Sequence, residues 1–213
     1  MIHGMYCRKT IRVASVSVLL CLVLSASAKD HPRLGSQSTP ALQVFVYGFP
    51  RLSPLLVKAA EAEAGRILRP ASIRLDWVNC ISNATASPCS AHRLPAELTI
   101  RILPKALPQA SATALGIAAP SSDNAAAFLF YDRIVALRTD TRVLFSVLGR
   151  VLAHEVTHLL LPGEGHSDQG LMRAEWSTDD LTLTSTACVG LSPSSVRFMY
   201  REALRRANQA LGN

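Results

Sequence analysis

The sequence predicts an α/β (α+β) domain in which helices cover a sheet. Segments rich in β-branched and aromatic residues alternate with segments of helical periodicity. A long apolar helical segment is then followed by a Pro-Gly pair that would end it. With 49% hydrophobic and 17% charged residues, the 213-residue chain also has the composition of a globular protein and the length of one domain.

The first 28 residues are predicted to be a secretory signal peptide. A basic region is followed by an apolar stretch at 13–24 and by Ala-Ser-Ala at 26–28, which suits cleavage before Lys29. An uncleaved membrane anchor is the alternative. The apolar stretch is only about a dozen residues long, whereas a spanning helix needs roughly 20.

The rest of the chain is predicted to be exported as a flexible leader at 29–40 and a domain at 41–213. A lipid anchor at Cys21 is disfavoured because the bulky Leu20 precedes it. No second hydrophobic segment approaches spanning length, so no membrane span is expected after cleavage. We therefore expect a secreted or periplasmic protein from a bacterium.

The charge of the chain gives little support to a nucleic-acid partner. The formal net charge is +7, and it falls to +4 without the signal, since 19 basic and 15 acidic residues remain. The predicted domain has no run of Lys or Arg and no basic-aromatic pattern. We interpret the positive charge as a contribution to solubility, and the sequence does not indicate an oligomeric state.

Three segments of the domain are predicted strands, at 42–49, 73–80 and 97–103. The first is β-branched and aromatic, and the other two alternate as half-buried strands do. Between the first two, residues 54–68 show helical spacing and begin with a proline, which suits a first helical turn. This segment is expected to be a helix packed on the sheet.

Two more extended pieces are predicted at 116–119 and 126–137. The residues at 121–124, Ser-Ser-Asp-Asn, are typical of a turn between them. One of these pieces is expected to be the sheet edge that borders a cleft.

Helices account for the remaining predicted elements. Residues 141–161 keep an apolar stripe, and Pro162 and Gly163 follow at once. A short helix is predicted after 177–180, and an amphipathic terminal helix at 193–211.

Three cysteines lie beyond the predicted signal peptide. Cys80 and Cys89 enclose a polar loop, and export to an oxidising compartment favours a disulfide between them. They lack the paired CxxC spacing of a structural zinc site. Cys188 is then left over and is expected to be buried or free.

His154, Glu155 and His158 form a His-Glu-x-x-His motif within the most apolar helix. Histidines at i and i+4 lie on one side of a helix, close enough to bind one zinc ion. Glu155 lies next to the first ligand and can take a proton from a zinc-bound water as it attacks a carbonyl. The motif therefore predicts a zinc-dependent hydrolase with Glu155 as the general base.

The alternative is that both histidines are ordinary polar residues on a partly buried helix. It leaves Glu155 unexplained, because an unpaired carboxylate in so apolar a stretch would be costly. A metal-bound water removes this difficulty.

The segment 154–172, HEVTHLLLPGEGHSDQGLM, resembles the metzincin clan of zinc peptidases. The resemblance implies His154, His158 and His166 as the zinc ligands and Met172 as the methionine of the turn beneath the metal. It also implies a zincin/metzincin-like fold with a twisted mixed sheet, a backing helix, an active-site helix and a smaller helical C-terminal part. Its sequence-specific part covers only this segment.

The third ligand departs from the clan's spacing. Leu161 stands where the clan has its glycine, and both Gly163 and His166 lie two positions later than expected. A longer helix or a longer loop would absorb both shifts, which favours His166. Glu164 occupies the position that the usual spacing assigns to the ligand, and Asp168 is also near, so both stay open as alternatives.

Met172 and Trp176 lie at and just beyond the end of this segment. Met172 has the alternative of being ordinary core, and Trp176 is interpreted as a packing residue without a catalytic role. No tyrosine closely follows Met172, so the tyrosine ligand of some metzincins has no counterpart, and stabilisation of the oxyanion would depend mainly on zinc.

These observations together predict a secreted or periplasmic zinc endopeptidase that uses one Zn²⁺ and a peptide or protein substrate. The substrate would bind along the edge strand near 116–119 or 126–131. In the leader, Asp30 or His31 could in principle reach the zinc, although no cysteine is available to cap it. The rival hypotheses are a non-catalytic zincin-fold protein that binds peptides or cell-wall fragments, which Glu155 disfavours, and a structural domain with an accidental motif.

Overall fold

The computed structural model describes residues 39–81, 88–90, 94, 96–121, 125–137, 141–176 and 190–212. Five strands form one mixed sheet: β1 (Ala41–Tyr47), β2 (Arg74–Asn79), β3 (Glu97–Leu103), β4 (Gly116–Ala119) and β5 (Ala125–Phe130). Their order across the sheet is β2-β1-β3-β5-β4. The predicted signal peptide and most of the predicted leader lie outside the described residues.

The sheet is parallel except at one edge. β1 pairs in parallel with both β2 and β3, and β3 pairs in parallel with β5. β4 alone runs antiparallel to its neighbour, with Ile117 opposite Phe128. One face of β1 and β3 lies in the core, whereas Gln43 and Arg101 on the other face are exposed.

Four helices complete the described part of the domain: α1 (Pro54–Leu68), α2 (Tyr131–Leu137), α3 (Thr141–Leu160) and α4 (Pro193–Ala210). Ser53 caps α1, since its side chain accepts from the backbone N–H of Leu56, and Pro54 opens the first turn. Helix α1 packs against α3 at Gly149, where an added Cβ would lie 2.8 Å from the carbonyl oxygen of Ala60. The absence of a side chain there lets the two helices approach closely.

Helix α4 is joined to the C-terminal end of α3 by a buried arginine. Arg206 is 2% exposed and donates to Glu202 of its own helix at 2.8 Å. Its Nη2 also donates to the carbonyl oxygens of Ser121 (3.1 Å) and Leu159 (3.4 Å). The Leu159 carbonyl belongs to the last turn of α3, where a positive charge is favourable.

The strands and helices confirm most of the predicted layout. The helix predicted at 54–68 is exact in its bounds, and the one predicted at 141–161 ends one residue earlier. The helix predicted at 193–211 ends at Ala210. The predicted mixed α/β fold with a backing helix and a long active-site helix is confirmed. The short helix predicted after 177–180 lies outside the described residues.

The extended piece predicted at 126–137 is wrong over its second half. β5 ends at Phe130, and Tyr131–Leu137 is helix α2. This helix has only seven residues and ends in four apolar ones, a run too short for periodicity to distinguish from a strand. β5 is also an interior strand, so the described sheet offers β4, not residues 126–131, as the edge near the active-site helix.

The predicted disulfide between Cys80 and Cys89 is present. Both cysteines are buried beside Phe45, and the hydroxyl of Tyr47 donates to the Cys89 carbonyl oxygen at 2.5 Å. The bridge closes the segment that leads from β2 to β3. Cys188 lies outside the described residues.

Within the described part of the chain, one helical segment, Val143–Leu160, is apolar and long enough to cross a membrane. Of this segment, 78% is buried inside the protein. Such burial is typical of the core helix of a globular domain.

Glu61 is a buried carboxyl group on the inner face of α1. It is 7% exposed, its Oε1 has no hydrogen-bond partner among the described residues, and burial raises its pKa from 4.5 to about 7. The folded state therefore binds this proton more tightly than the unfolded state, and stability is lost as the pH rises from 4.5 through 7.

We expect Glu61→Gln to remove this loss. The variant should unfold at nearly the parent's free energy at pH 4, and at pH 8 it should be more stable by about 3 kcal/mol. Urea unfolding at both pH values measures the difference. Asp76→Asn, in an exposed pair with Arg74, is the control and should change stability by less than about 1 kcal/mol at either pH. An equal effect of Glu61→Gln at both pH values would contradict the prediction.

Candidate active site

Helix α3 presents His154 and His158 on one side, as their spacing of four residues predicts. Their Nε2 atoms are 3.1 Å apart. His154 is 8% exposed, and His158 lies nearer the surface. The rest of α3 is apolar and packs in the core, so the two imidazoles are held on a rigid support.

His166 comes to the same point from the loop after α3. Its Nε2 lies 3.3 Å from the Nε2 of His158, and the ligand atoms of the three histidines all lie within 4.8 Å of one another. The helix continues for only two residues beyond His158. Gly163 then turns the chain with φ of +88°, a conformation that favours glycine. A longer loop, not a longer helix, thus accommodates the two-residue displacement of His166.

A turn at 170–173 contacts the segments of both the first and the third histidine. The Nδ1 of His154 donates to the carbonyl oxygen of Leu171 at 2.8 Å. The N–H of Ser167 donates to the carbonyl oxygen of Met172 at 2.7 Å. The first bond leaves the Nε2 lone pair of His154 directed at the other histidines. Met172 is 7% exposed, and its role as the methionine of a metal-supporting turn stays a prediction.

The three histidines fit a zinc ion. Nitrogen ligands about 2.0–2.1 Å from a tetrahedral zinc lie about 3.3 Å from one another, close to the two shortest separations here. Burial, with a smaller contribution from neighbouring imidazoles, lowers the pKa of both His154 and His158 to about 4. Neutral imidazoles whose ring nitrogens converge have too few protons to satisfy one another, whereas a cation satisfies all of them.

Neither carboxylate alternative joins this group in the described part of the chain. Glu164 and Asp168 are exposed, and the three-residue cluster that could hold a metal comprises histidines alone. The geometry therefore supports the predicted set His154, His158 and His166.

Glu155 is buried beside the first histidine and lies against the edge strand. It is 4% exposed, its Oε2 has no hydrogen-bond partner among the described residues, and burial raises its pKa to about 8. A divalent cation nearby would favour the ionised form. An added Cβ on Gly116 would lie 2.5 Å from Oε1 of Glu155, so the carboxyl group lies directly against β4.

A cleft of about 950 Å³ runs along this edge strand and over the histidines. One side is formed by the segment 111–118, which includes β4, and the other by the loop carrying Gly163, Glu164 and His166. Residues 173–176 also contribute. The cleft is large enough to take several residues of an extended peptide.

Trp176 is closer to the site than its sequence position indicates. Its ring meets that of His154 edge to face, with centroids 5.3 Å apart, and it also lines the cleft. This contact is consistent with the interpretation of Trp176 as a packing residue. The residue on which it packs, His154, is a candidate zinc ligand. The contacts made by Gly116 and by the Leu171 carbonyl were also missed, because neither a glycine nor a backbone oxygen has a recognisable signal in one sequence.

Two solved structures are similar to the chain in fold. A zinc-dependent peptidase from Methanocorpusculum labreanum matches with a TM-score of 0.52 and 12% identity, over 73% of this chain and 99% of its own. Archaemetzincin from Methanopyrus kandleri matches with a TM-score of 0.52 and 15% identity, over 80% of this chain and 99% of its own. The chain has their fold.

The likeness is one of structure. No protein-family model matches the chain, and no curated protein matches it in sequence. At 12% and 15% identity the two structures establish the fold, and the predicted metzincin-like architecture is confirmed. A fold of this kind does not by itself determine the activity, which depends on the residues of the site.

Gly116→Ala is expected to lower kcat by displacing the Glu155 carboxyl group. The new Cβ would lie 2.5 Å from Oε1 and 2.9 Å from the carbonyl oxygen of Phe128, so either the carboxyl group or the strand must move. A displacement of about 1 Å can reduce the rate on the order of 10²-fold. Steady-state kinetics on a peptide substrate measure the effect.

Gly65→Ala is the matched control, because nothing lies within 4 Å of its added Cβ. We expect its kcat to equal that of the parent. Equal kcat values for the parent and Gly116→Ala would show that the close approach of Glu155 to β4 has no part in turnover.

Proposed function

We propose that the chain is an exported zinc-dependent endopeptidase that hydrolyses peptide bonds in a peptide or protein substrate. The convergence of three histidine nitrogens beside a buried carboxyl group, whose Oε2 has no partner among the described residues, carries this proposal, together with the cleft bordered by a sheet edge. The two structures with the same fold support it, since they are described as a zinc-dependent peptidase and as archaemetzincin.

One zinc ion held by His154, His158 and His166 would supply a Lewis acid that polarises the scissile carbonyl and activates water. Glu155 accepts the proton of the attacking water and delivers it to the leaving amine. Its burial excludes competing solvent from that proton. The hydrogen bond from His154 Nδ1 to Leu171 holds the imidazole in the tautomer that a ligand needs.

The edge strand β4 would bind the substrate backbone. Among the described strands it pairs with β5 alone, so its outer N–H and C=O groups at Gly116–Ala119 would bind an extended peptide. Glu155 lies against the first residue of this strand, which would place the scissile bond of a peptide bound there near both the carboxyl group and the histidines.

Export rests on the sequence of the first 28 residues. The basic region, the apolar stretch and the Ala-Ser-Ala site are those of a cleaved signal, and the Cys80–Cys89 disulfide suits an oxidising compartment. Cleavage before Lys29 would release a protein with a leader of 12 residues, 29–40.

The test is expression of the full-length chain in an exporting bacterial host. We expect a periplasmic product whose mass matches cleavage after Ala28, which hydrolyses internal bonds of a peptide library. A chelator should abolish hydrolysis, and added zinc should restore it. A zinc-loaded, folded product without hydrolytic activity on the library would contradict the peptidase proposal. Retention of residues 1–28 would contradict export by signal cleavage.

A further inference from the structure

The segment between β3 and β4 forms one wall of the cleft without being part of the core. No residue from 104 to 119 is buried, yet residues 111–115 line the cleft and lead directly into Gly116. Of residues 104–115, Leu115 packs against the hydrophobic core, so the position of residues 106–114 depends mainly on hydrogen bonds.

Those hydrogen bonds come from the first turn of α2. Nη1 of Arg133 donates to the carbonyl oxygens of Ser111 and, at 2.7 Å, of Ala114. The neighbouring carboxylate of Asp132 accepts from the N–H of Ala106 at 3.3 Å. Two adjacent side chains thus hold both ends of the segment 106–114.

Arg133 is itself held by the core. Its guanidinium lies over the ring of Phe130, 5.3 Å from the centroid, and Phe130 and the adjacent Ile134 are both fully buried. A planar guanidinium can stack on a ring and still donate to two carbonyl oxygens in its plane, which an ammonium cannot do. The Arg133 side chain therefore fixes residues 111–114 relative to the buried core.

The wall is continuous with the strand that would bind the substrate. The N–H of Phe130 donates to the carbonyl oxygen of Leu115 at 2.8 Å, one residue before Gly116 and its contact with Glu155. If residues 111–114 were released, Leu115 and β4 would still be held in place by their hydrogen bonds to β5. Glu155 and the histidines, on α3 and its loop, would be undisturbed.

We propose that Arg133 is a positioning residue for substrate binding, which fixes the segment 106–115 as a wall of the cleft. It acts on the affinity for an extended peptide and not on the chemical step. This inference rests on the proposed peptidase function, but its structural part can be measured without any substrate.

Arg133→Ala is expected to raise KM about 10-fold or more, the effect of losing charge-assisted hydrogen bonds, and to leave kcat unchanged within about twofold. Zinc content should equal that of the parent. Hydrogen exchange of the Ala110 and Ala114 amides, which bond within the segment, should be at least about tenfold faster, while that of β1 amides is unchanged.

Two further variants keep the test interpretable. Asp132→Ala removes an exposed side chain that holds the other end of the segment, and it should raise KM and speed exchange at Ala106 without altering zinc content. Arg74→Ala is the control, since Arg74 is an exposed arginine on β2, the sheet edge opposite β4. It should leave KM, kcat and exchange unchanged.

Each outcome decides between interpretations. Faster exchange with a higher KM supports the proposal, whereas parent-like exchange or parent-like KM in Arg133→Ala overturns it. A rise in KM confined to substrates with acidic side chains or a free C-terminal carboxylate would also overturn it, because Arg133 would then contact the substrate charge directly. If the zinc-loaded parent hydrolyses no peptide, the peptidase function fails, and the exchange measurement alone decides whether Arg133 holds the wall.

Discussion

Glu155→Gln is expected to lower kcat by about 10²–10⁴-fold while zinc stays bound at one ion per chain. The amide has nearly the same shape as the carboxylate but cannot accept a proton from water. Glu155 is buried and does not belong to the cluster of three histidines that could bind the metal, so its replacement should leave the metal site intact. Steady-state kinetics and metal analysis on the same preparation measure both quantities.

Glu164→Gln and Glu175→Gln are matched controls, because both glutamates line the same cleft without approaching Gly116 in the way Glu155 does. Their kcat values should equal that of the parent. A Glu155→Gln protein with parent-like turnover would show that another group is the base. A parent that binds peptide and zinc but turns over nothing, with binding unaffected by Glu155→Gln, would favour the non-catalytic binding protein.

His166→Ala is expected to weaken zinc binding by more than about 100-fold and to abolish turnover. Loss of a group that only supports a ligand already reduces affinity 10–100-fold, so loss of a ligand should reduce it further. The His166 nitrogen lies 3.3 Å from that of His158, whereas the two remaining histidines alone leave half of a tetrahedral site without protein ligands. Competition with a chromophoric chelator measures the affinity.

Glu164→Ala and Asp168→Ala are the controls for the alternative ligands. Both carboxylates are exposed in the same loop as His166, and we expect parent-like zinc affinity in each variant. If Glu164→Ala loses zinc and His166→Ala retains it, the loop must rearrange around the metal, and the usual metzincin spacing would then hold with a carboxylate as third ligand.

The sequence predicts the elements whose signal is local. Helix α3 shows its apolar stripe and its Pro-Gly end, and His154 and His158 fall on one side of it by helical geometry alone. The Cys80–Cys89 bridge follows from two cysteines nine residues apart in a chain that is predicted to be exported. These features depend on neighbours in sequence, which one sequence reveals.

What could not be predicted depends on contacts between distant segments. The role of Gly116 is set by Glu155, 39 residues away, and the tautomer of His154 by a backbone oxygen at Leu171. The wall held by Arg133 depends on carbonyl groups about 20 residues earlier in the chain. Pattern alone also failed at Tyr131–Leu137, where a helix of seven residues has the apolar content of a strand.

Zinc K-edge X-ray absorption of the purified, zinc-loaded chain tests the central claim most directly. It reports the number and kind of atoms bound to the metal. The account predicts one zinc per chain with three imidazole nitrogens and one oxygen, at about 2.0–2.1 Å, as in a catalytic site with one position open to water. Absence of stoichiometric zinc, or a site with only two imidazoles, would contradict the assignment of His154, His158 and His166 as its ligands.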